Sequence, residues 1–319
     1  MRFLIVAKKE FADHLTSRRF LAFLVIFLLF FGFSVYQGVS SFIKTYELYA
    51  AGKSEKPTVI QMFGIFATGS TSVLGGILGI LIGFDLLTKE KESGTLKTLL
   101  SHPVFRDEII NGKALGALFA MALVVFLTVI VAFGVLIALG FIPNVGDIVT
   151  ILKFGAITLV YFFTFFSIGL FASAVAKSTT TALMIALGIF IVLVAILPFF
   201  GSIVSDALAG EPPKPPKTEI SYRTPGGPKP QPKPIGEDPR WKEYQKQREE
   251  YMKRKRAIMS IFTLLSPTSN YVSLVSSLSG EGMPFYPAKD TTKSWISFIV
   301  TPVLFFAISY VRFLREEIL

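Results

Sequence analysis

The sequence predicts an all-α membrane protein, and three observations carry that prediction. Hydrophobic residues fill 52% of the 319 positions and charged residues only 17%, with a mean hydropathy of +0.59. A water-soluble domain of this size carries about 25% charged residues, so this chain lacks the polar groups to cover a wetted surface. Charge-free apolar intervals recur along the chain, each long enough to cross about 30 Å of hydrocarbon as a helix of roughly 20 residues. The charges between those intervals are distributed unequally, as they are when a bilayer sorts loops by side.

Residues 1–19 precede the first span. Leu4, Ala7, Phe11 and Leu15 recur at helical spacing, with Lys8, Lys9, Asp13, Arg18 and Arg19 on the remaining faces. That pattern predicts an amphipathic helix along the inner membrane surface. Spans one to five are the intervals Phe20 to Ile43, Pro57 to Phe84, Ala114 to Gly146, Phe154 to Ala176 and Ser178 to Ser205. The first is too long for a cleaved leader. A sixth, Ser294 to Val311, is shorter but framed by Trp295 and Tyr310 as interfacial anchors. The interval Ala257 to Gly280 is also charge-free, yet its density of Ser and Thr predicts a re-entrant or interfacial segment. Six spans put both termini on one side. With the N-terminus inside, the short inner loops hold thirteen Lys and Arg and the short outer loops four, so both termini are expected in the cytoplasm.

The layout is then an amphipathic helix at 1–19, spans one to five over 20–205 with an inner loop at 85–113, an external segment at 206–293, and the last span with its tail at 294–319. Residues 211–239 hold ten of the 18 prolines and are expected to be extended. Residues 241–256 read as a helix with Trp241, Tyr244 and Tyr251 on one side, suited to lipid headgroups, the re-entrant segment or an external partner. In the second span Gly75, Gly79 and Gly83 recur every fourth residue and predict close helix packing.

Several functions are excluded. The chain has no cysteine, hence no disulfide, thiolate metal site, iron–sulfur cluster or cysteine nucleophile. The formal charge of +10 divides into thirteen basic and nine acidic residues inside, nineteen and thirteen outside, without the dense patch that nucleic acid requires. No phosphate-binding loop is present, so ATP must be hydrolysed elsewhere if it drives this protein. No charged residue lies within a span, which argues against an ion-coupled carrier.

The inner loop carries the most information. Glu90, Glu92, Ser93, Gly94, Thr95, Leu96, Leu99, Leu100, Ser101, Pro103, Arg106, Glu108, Ile109 and Lys113 form an E-x-E-S-G-T-L…LLS-x-P…R-x-E-I…K pattern. It resembles the first cytoplasmic loop of ABC-2 type transporter permeases, and the six-span layout, the elbow helix and the turn AKSTTTA at 176–182 are similar too. Within that family the E-S-G-T-L form is most similar to permeases assigned to copper-enzyme maturation or to sodium and drug efflux. The resemblance implies a coupling helix, with Glu90, Glu92, Ser93, Gly94, Thr95, Leu96, Leu99 and Leu100 facing an ATPase subunit and Lys177, Ser178 and Thr179 making a smaller second contact. It also implies two copies of a separate cytoplasmic ATPase carrying ATP and magnesium, pairing with a second copy or a similar permease, and a place in the cell membrane. The chain itself is then no enzyme and binds no cofactor, metal or nucleic acid; its own surroundings are lipid. Two other readings of the residues stay open, a membrane scaffold or assembly subunit that transports nothing and an ATP-independent carrier.

Overall fold

The computed structural model describes residues 2–52, 68–94, 105–216, 239–278 and 291–315, and every regular element among them is helical. Helix α1 (Arg2–Thr16) is parted from α2 (Arg18–Ala50) at Ser17, whose extended backbone breaks the chain direction and whose hydroxyl accepts from the Phe20 amide. Next come α3 (Gly76–Gly83), entered through a π-turn at Thr71–Gly75, and α4 (Thr88–Glu92). Helix α5 (Arg106–Ala138) begins before the charge-free interval and ends before it, because the chain turns at Leu139–Gly140, where Gly140 has φ +79°. Helix α6 (Val145–Val175) starts from a reciprocal cap: the Asp147 amide donates to Asn144 Oδ1 and the Asn144 amide to Asp147 Oδ2, each at 3.0 Å. Helix α7 (Thr179–Ala209) is interrupted by a π-turn at Val192–Ile196. Then follow α8 (Pro239–Leu265), α9 (Pro267–Ser277) and α10 (Thr292–Leu314).

Six of these stretches are long and apolar enough to cross a membrane: α2, Thr68–Glu92, α5, α6, α7 and α10. The protein is an all-α membrane protein, with six such helices among the described residues. Pairing of Arg106 Nη1 with the Leu314 carbonyl at 3.2 Å sets the end of α10 beside the start of α5, and α1 packs on the same part of α5. This is the terminal end of the bundle; the opposite end, where the end of α7 packs against α8, is distal.

Helix α6 forms the axis, with 72% of its apolar window buried inside the chain against 11% for α7. Its contact with α3 is a backbone seam. A Cβ on Gly79 would fall 2.6 Å from the Phe162 carbonyl oxygen, one on Gly83 2.5 Å from that of Phe166, and one on Gly169 2.9 Å from that of Ile80. Gly75 faces the Phe162 ring instead. The glycine stripe thus meets α6 of the same chain.

At the distal end, residues 241–256 and the hydroxyl-rich stretch after them share one helix, α8, because no breaker stands between Arg256 and Leu265. The break comes at Ser266, before Pro267, and turns the chain by 109° into α9. Helix α8 runs antiparallel to the end of α7: Lys255 pairs with Asp206, and Phe262 lies against Gly201.

Candidate functional site

At the terminal end α1, α4 and α5 converge on one amino group. Lys113 Nζ lies 2.8 Å from Glu10 Oε2 and 2.8 Å from Glu90 Oε1, and its side chain is 5% exposed. A lone ammonium would not survive there; two carboxylates from different helices hold it charged. The approach is close because α5 presents Gly112 and Gly116 to α1, where added Cβ atoms would sit 2.7 Å from the Phe3 carbonyl oxygen and 2.6 Å from that of Ala7. A cavity of about 310 Å³ adjoins the triad, lined in part by His14, Arg19, Asp85 and Lys89. Arg19 and Asp85 face each other across 3.9 Å, and His14 Nε2 stands 3.9 Å from Glu10 Oε1. Burial pushes the His14 imidazole below its ordinary 6.5, against the attraction of Glu10, Asp85 and Asp13 and with the help of Lys113.

Helix α4 is anchored at its start as well. The buried Ser173 hydroxyl near the end of α6 accepts from the Leu87 and Thr88 amides at 2.9 and 3.0 Å, which satisfies two donors that the first turn leaves free. Lys91 Nζ donates to the Ala174 carbonyl at 3.2 Å. From the other face Glu92 reaches α7: its Oε1 accepts from the Thr179 amide at 2.9 Å and its Oε2 from the Thr179 hydroxyl at 2.5 Å. A carboxylate so placed caps the positive end of that helix, beside the cap that Ser178 makes to the Thr181 amide. Ser93 and Gly94 end α4, Gly94 with φ +71°, a conformation that favours glycine. Thr95, Leu96, Leu99 and Leu100 lie outside the described residues.

Of the residues singled out by the sequence, Glu92 and Thr179 therefore touch, Glu90 turns into the bundle, and Ser93, Gly94 and Lys177 are exposed. Sequence reasoning passed over Glu10, His14 and Ser173. The first two had a signal: positions 10 and 14 fall on the apolar stripe of α1 with Ala7 and Phe11, where an acid and an imidazole need a partner. Ser173 had none, since a serine in an apolar helix ordinarily bonds its own preceding turn. Among the described residues, no group of three or more His, Asp or Glu side chains is arranged to hold a metal ion.

A second polar cluster lies toward the distal end. The Tyr161 hydroxyl donates to the Ser72 carbonyl in the first π-turn and lies 3.0 Å from Thr268 Oγ1. Tyr271 stacks on Tyr161 at 4.3 Å between ring centroids and pairs its hydroxyl with Thr158 at 3.0 Å. Ser266 donates to the Leu193 carbonyl of the second π-turn at 2.9 Å. Asn270 donates to the Leu264 carbonyl at 2.8 Å, and the Ser297 hydroxyl bonds that carbonyl too. The turn into α9 is thus fastened to both π-turns, whose irregular ladders leave carbonyls to be met by side chains.

Comparison with known proteins bears on both clusters. Residues 4–318 match the family model described as ABC-2 family transporter protein. Over 155 residues the chain is 29% identical to the probable ABC transporter permease protein NosY of Pseudomonas aeruginosa, covering 47% of this chain and 50% of that one. Over 129 residues it is 29% identical to the protein of the same name from Stutzerimonas stutzeri, covering 40% and 42%. The chain spans about half the length of these curated relatives, or less.

Proposed function

The chain belongs to the ABC-2 family of transporter proteins, and from that premise we propose that it is the membrane-spanning permease of an exporter driven by a separate ATPase. In this reading the terminal end is cytoplasmic, as the thirteen basic residues of the short loops on that side favour. Two permease halves, identical or similar, enclose the substrate path, and two ATPase subunits dock beneath them. ATP and magnesium reside on those subunits.

One observation carries the proposal. The segment entering the E-S-G-T-L stretch is bonded directly to α5, α6 and α7, and through Lys113 to Glu10 of α1, so a push on the loop that follows reaches most of the bundle. Leu96, Leu99 and Leu100 supply the apolar contact for the ATPase, and Lys177 to Thr179 form its smaller second contact. The N-terminal helix transmits the resulting tilt to the first span.

The test is co-purification with a candidate ATPase subunit, before and after replacing Leu96, Leu99 and Leu100 with serine. The expected result is at least tenfold weaker retention of the ATPase and loss of ATP-dependent uptake into inside-out vesicles, the direction that export takes there. Unchanged retention and export would refute the coupling assignment. Export without any ATPase would favour a carrier instead, and ATP-coupled export that survives deletion of residues 211–256 while assembly of an external partner fails would favour a scaffold role.

A further inference from the structure

The side chains of Glu90 and Glu92 both grip this chain's own helices, on opposite sides of α4. Two residues apart on a helix means about 200° of rotation, so the pair points in nearly opposite directions. Glu90 takes the Lys113 ammonium, and through it Glu10 of α1. Glu92 takes the amide and hydroxyl of Thr179 at the start of α7. Between them the start of α4 is pinned to α6 by Ser173.

The two grips differ in kind. The Lys113 side chain is 5% exposed, with Glu10 at 12% and Glu90 at 14%. Parting that triad would leave largely buried charges unpaired, so it is the costlier of the two grips to open. The Glu92 carboxylate is open to solvent, and water can replace Thr179 with little penalty. It is held by geometry and released by a modest rotation.

We propose that α4 is a pivoted yoke: Ser173 is the pivot, Glu90 the permanent arm that moves α1 and α5 with the loop, and Glu92 a releasable arm that holds or frees the start of α7. Glu92 and Thr179 are then positioning residues for transport, acting through the angle of α7 rather than by touching cargo. This rests on the permease reading for what drives the yoke, but not for the yoke itself.

The experiment has one part without the ATPase and one with it. In the full-length permease alone, in nanodiscs, amide hydrogen exchange is followed over residues 2–16 and 179–184. Glu92→Gln is expected to raise exchange in 179–184 at least tenfold and leave 2–16 unchanged. Glu90→Gln, which leaves the Glu10–Lys113 pair and the α1–α5 seam in place, is expected to leave 179–184 unchanged. Either variant loosening both segments equally, or Glu92→Gln leaving the start of α7 protected, overturns the yoke. The absence of cysteine makes the second part clean. Spin labels on cysteines introduced at Lys8 and Leu152, or at Met184 and Leu152, report α1 and α7 against the far end of α6. With ATPase, ATP and vanadate, the wild-type distances are expected to shift in both pairs. Glu92→Gln should place the Met184 pair at its shifted distance before nucleotide is added, with ATPase binding unchanged, and Thr179→Ser should behave as wild type. An arm that only stabilises the fold would lower binding and melting temperature together and leave the nucleotide-free distance where it was, which also overturns the proposal. If wild type neither binds an ATPase nor shifts with ATP, the permease reading fails while the exchange result still decides the yoke.

Discussion

The two polar clusters solve the same problem, fixing helices against one another in an apolar bundle, with different chemistry. At the terminal end the fastening is ionic: one buried ammonium, two carboxylates, and an arginine, an aspartate and a histidine around the adjoining cavity. Toward the distal end it is neutral: tyrosine, serine, threonine and asparagine side chains bond one another and the carbonyls released by two π-turns. Depth explains the choice. Charges are tolerable near the ends of spans, where they pair or reach water, and expensive within hydrocarbon. The turn into α9 meets α7 at Leu193, mid-helix, so only neutral donors can hold it there. An ionic fastening fails abruptly when one member is lost, whereas a neutral network loses one bond at a time.

The sharpest way to break this contrast is Lys113→Met, which keeps most of the bulk and removes the charge. Glu10 and Glu90 then stay buried facing each other, and the loss should be about 3–5 kcal/mol, seen as a large fall in melting temperature in detergent. Glu10→Gln combined with Lys113→Met should recover part of it; a double variant as unstable as the single one would mean that packing, not charge, dominates the triad.

Next in size is the glycine seam between the two regions. In Gly83→Val the new side chain meets the backbone of Phe166 and Leu170, which cannot rotate away as a side chain could. About 1–3 kcal/mol of destabilisation is expected, with α3 forced off α6. Gly134→Val, which has nothing within 4 Å of its Cβ position, is the control that should change little.

Smaller again is Tyr271→Phe in the distal network. It removes the hydroxyl opposite Thr158 but keeps the stacked ring, so about 1 kcal/mol is expected, in the range for one hydrogen bond within a membrane protein. A loss as large as that from Lys113→Met would erase the distinction between the two ends.

Much of this was legible in the sequence, for reasons particular residues make clear. Charge-free runs located the six spans because hydrocarbon tolerates little else. Helix ends were less legible where the last polar turn continues the helix, as in α2 to Ala50 and α5 from Arg106. The break at Ser266–Pro267 was readable from proline, but the union of 241–256 with the residues after it was not, since composition changes at Arg256 and backbone geometry does not. In the site, the pattern around Glu90 and Glu92 marked the right segment. Their partners were invisible because Glu10, Lys113, Ser173 and Thr179 are distant in sequence and meet only once α1, α5, α6 and α7 have packed.

The finest test of the contrast is pH. His14 is buried on the ionic side, and its pKa in the folded protein lies below the 6.5 of the free side chain, chiefly because burial disfavours the charged ring. The unfolded chain therefore binds a proton first on acidification. Stability from this group is complete above about pH 6.5 and is lost as pH falls through the folded value. Glu10, Asp85 and Asp13 pull the other way and Lys113 adds to the depression, so the effect is a remainder and should be small. Melting temperatures between pH 7.5 and 5.5 should fall more steeply for wild type than for His14→Gln. Tyr161→Phe, which alters the neutral cluster alone, should keep the wild-type slope. If His14→Gln keeps it too, the imidazole is already paired when charged, most directly with Glu10 at 3.9 Å, and the ionic cluster is less sealed from water than its exposures imply.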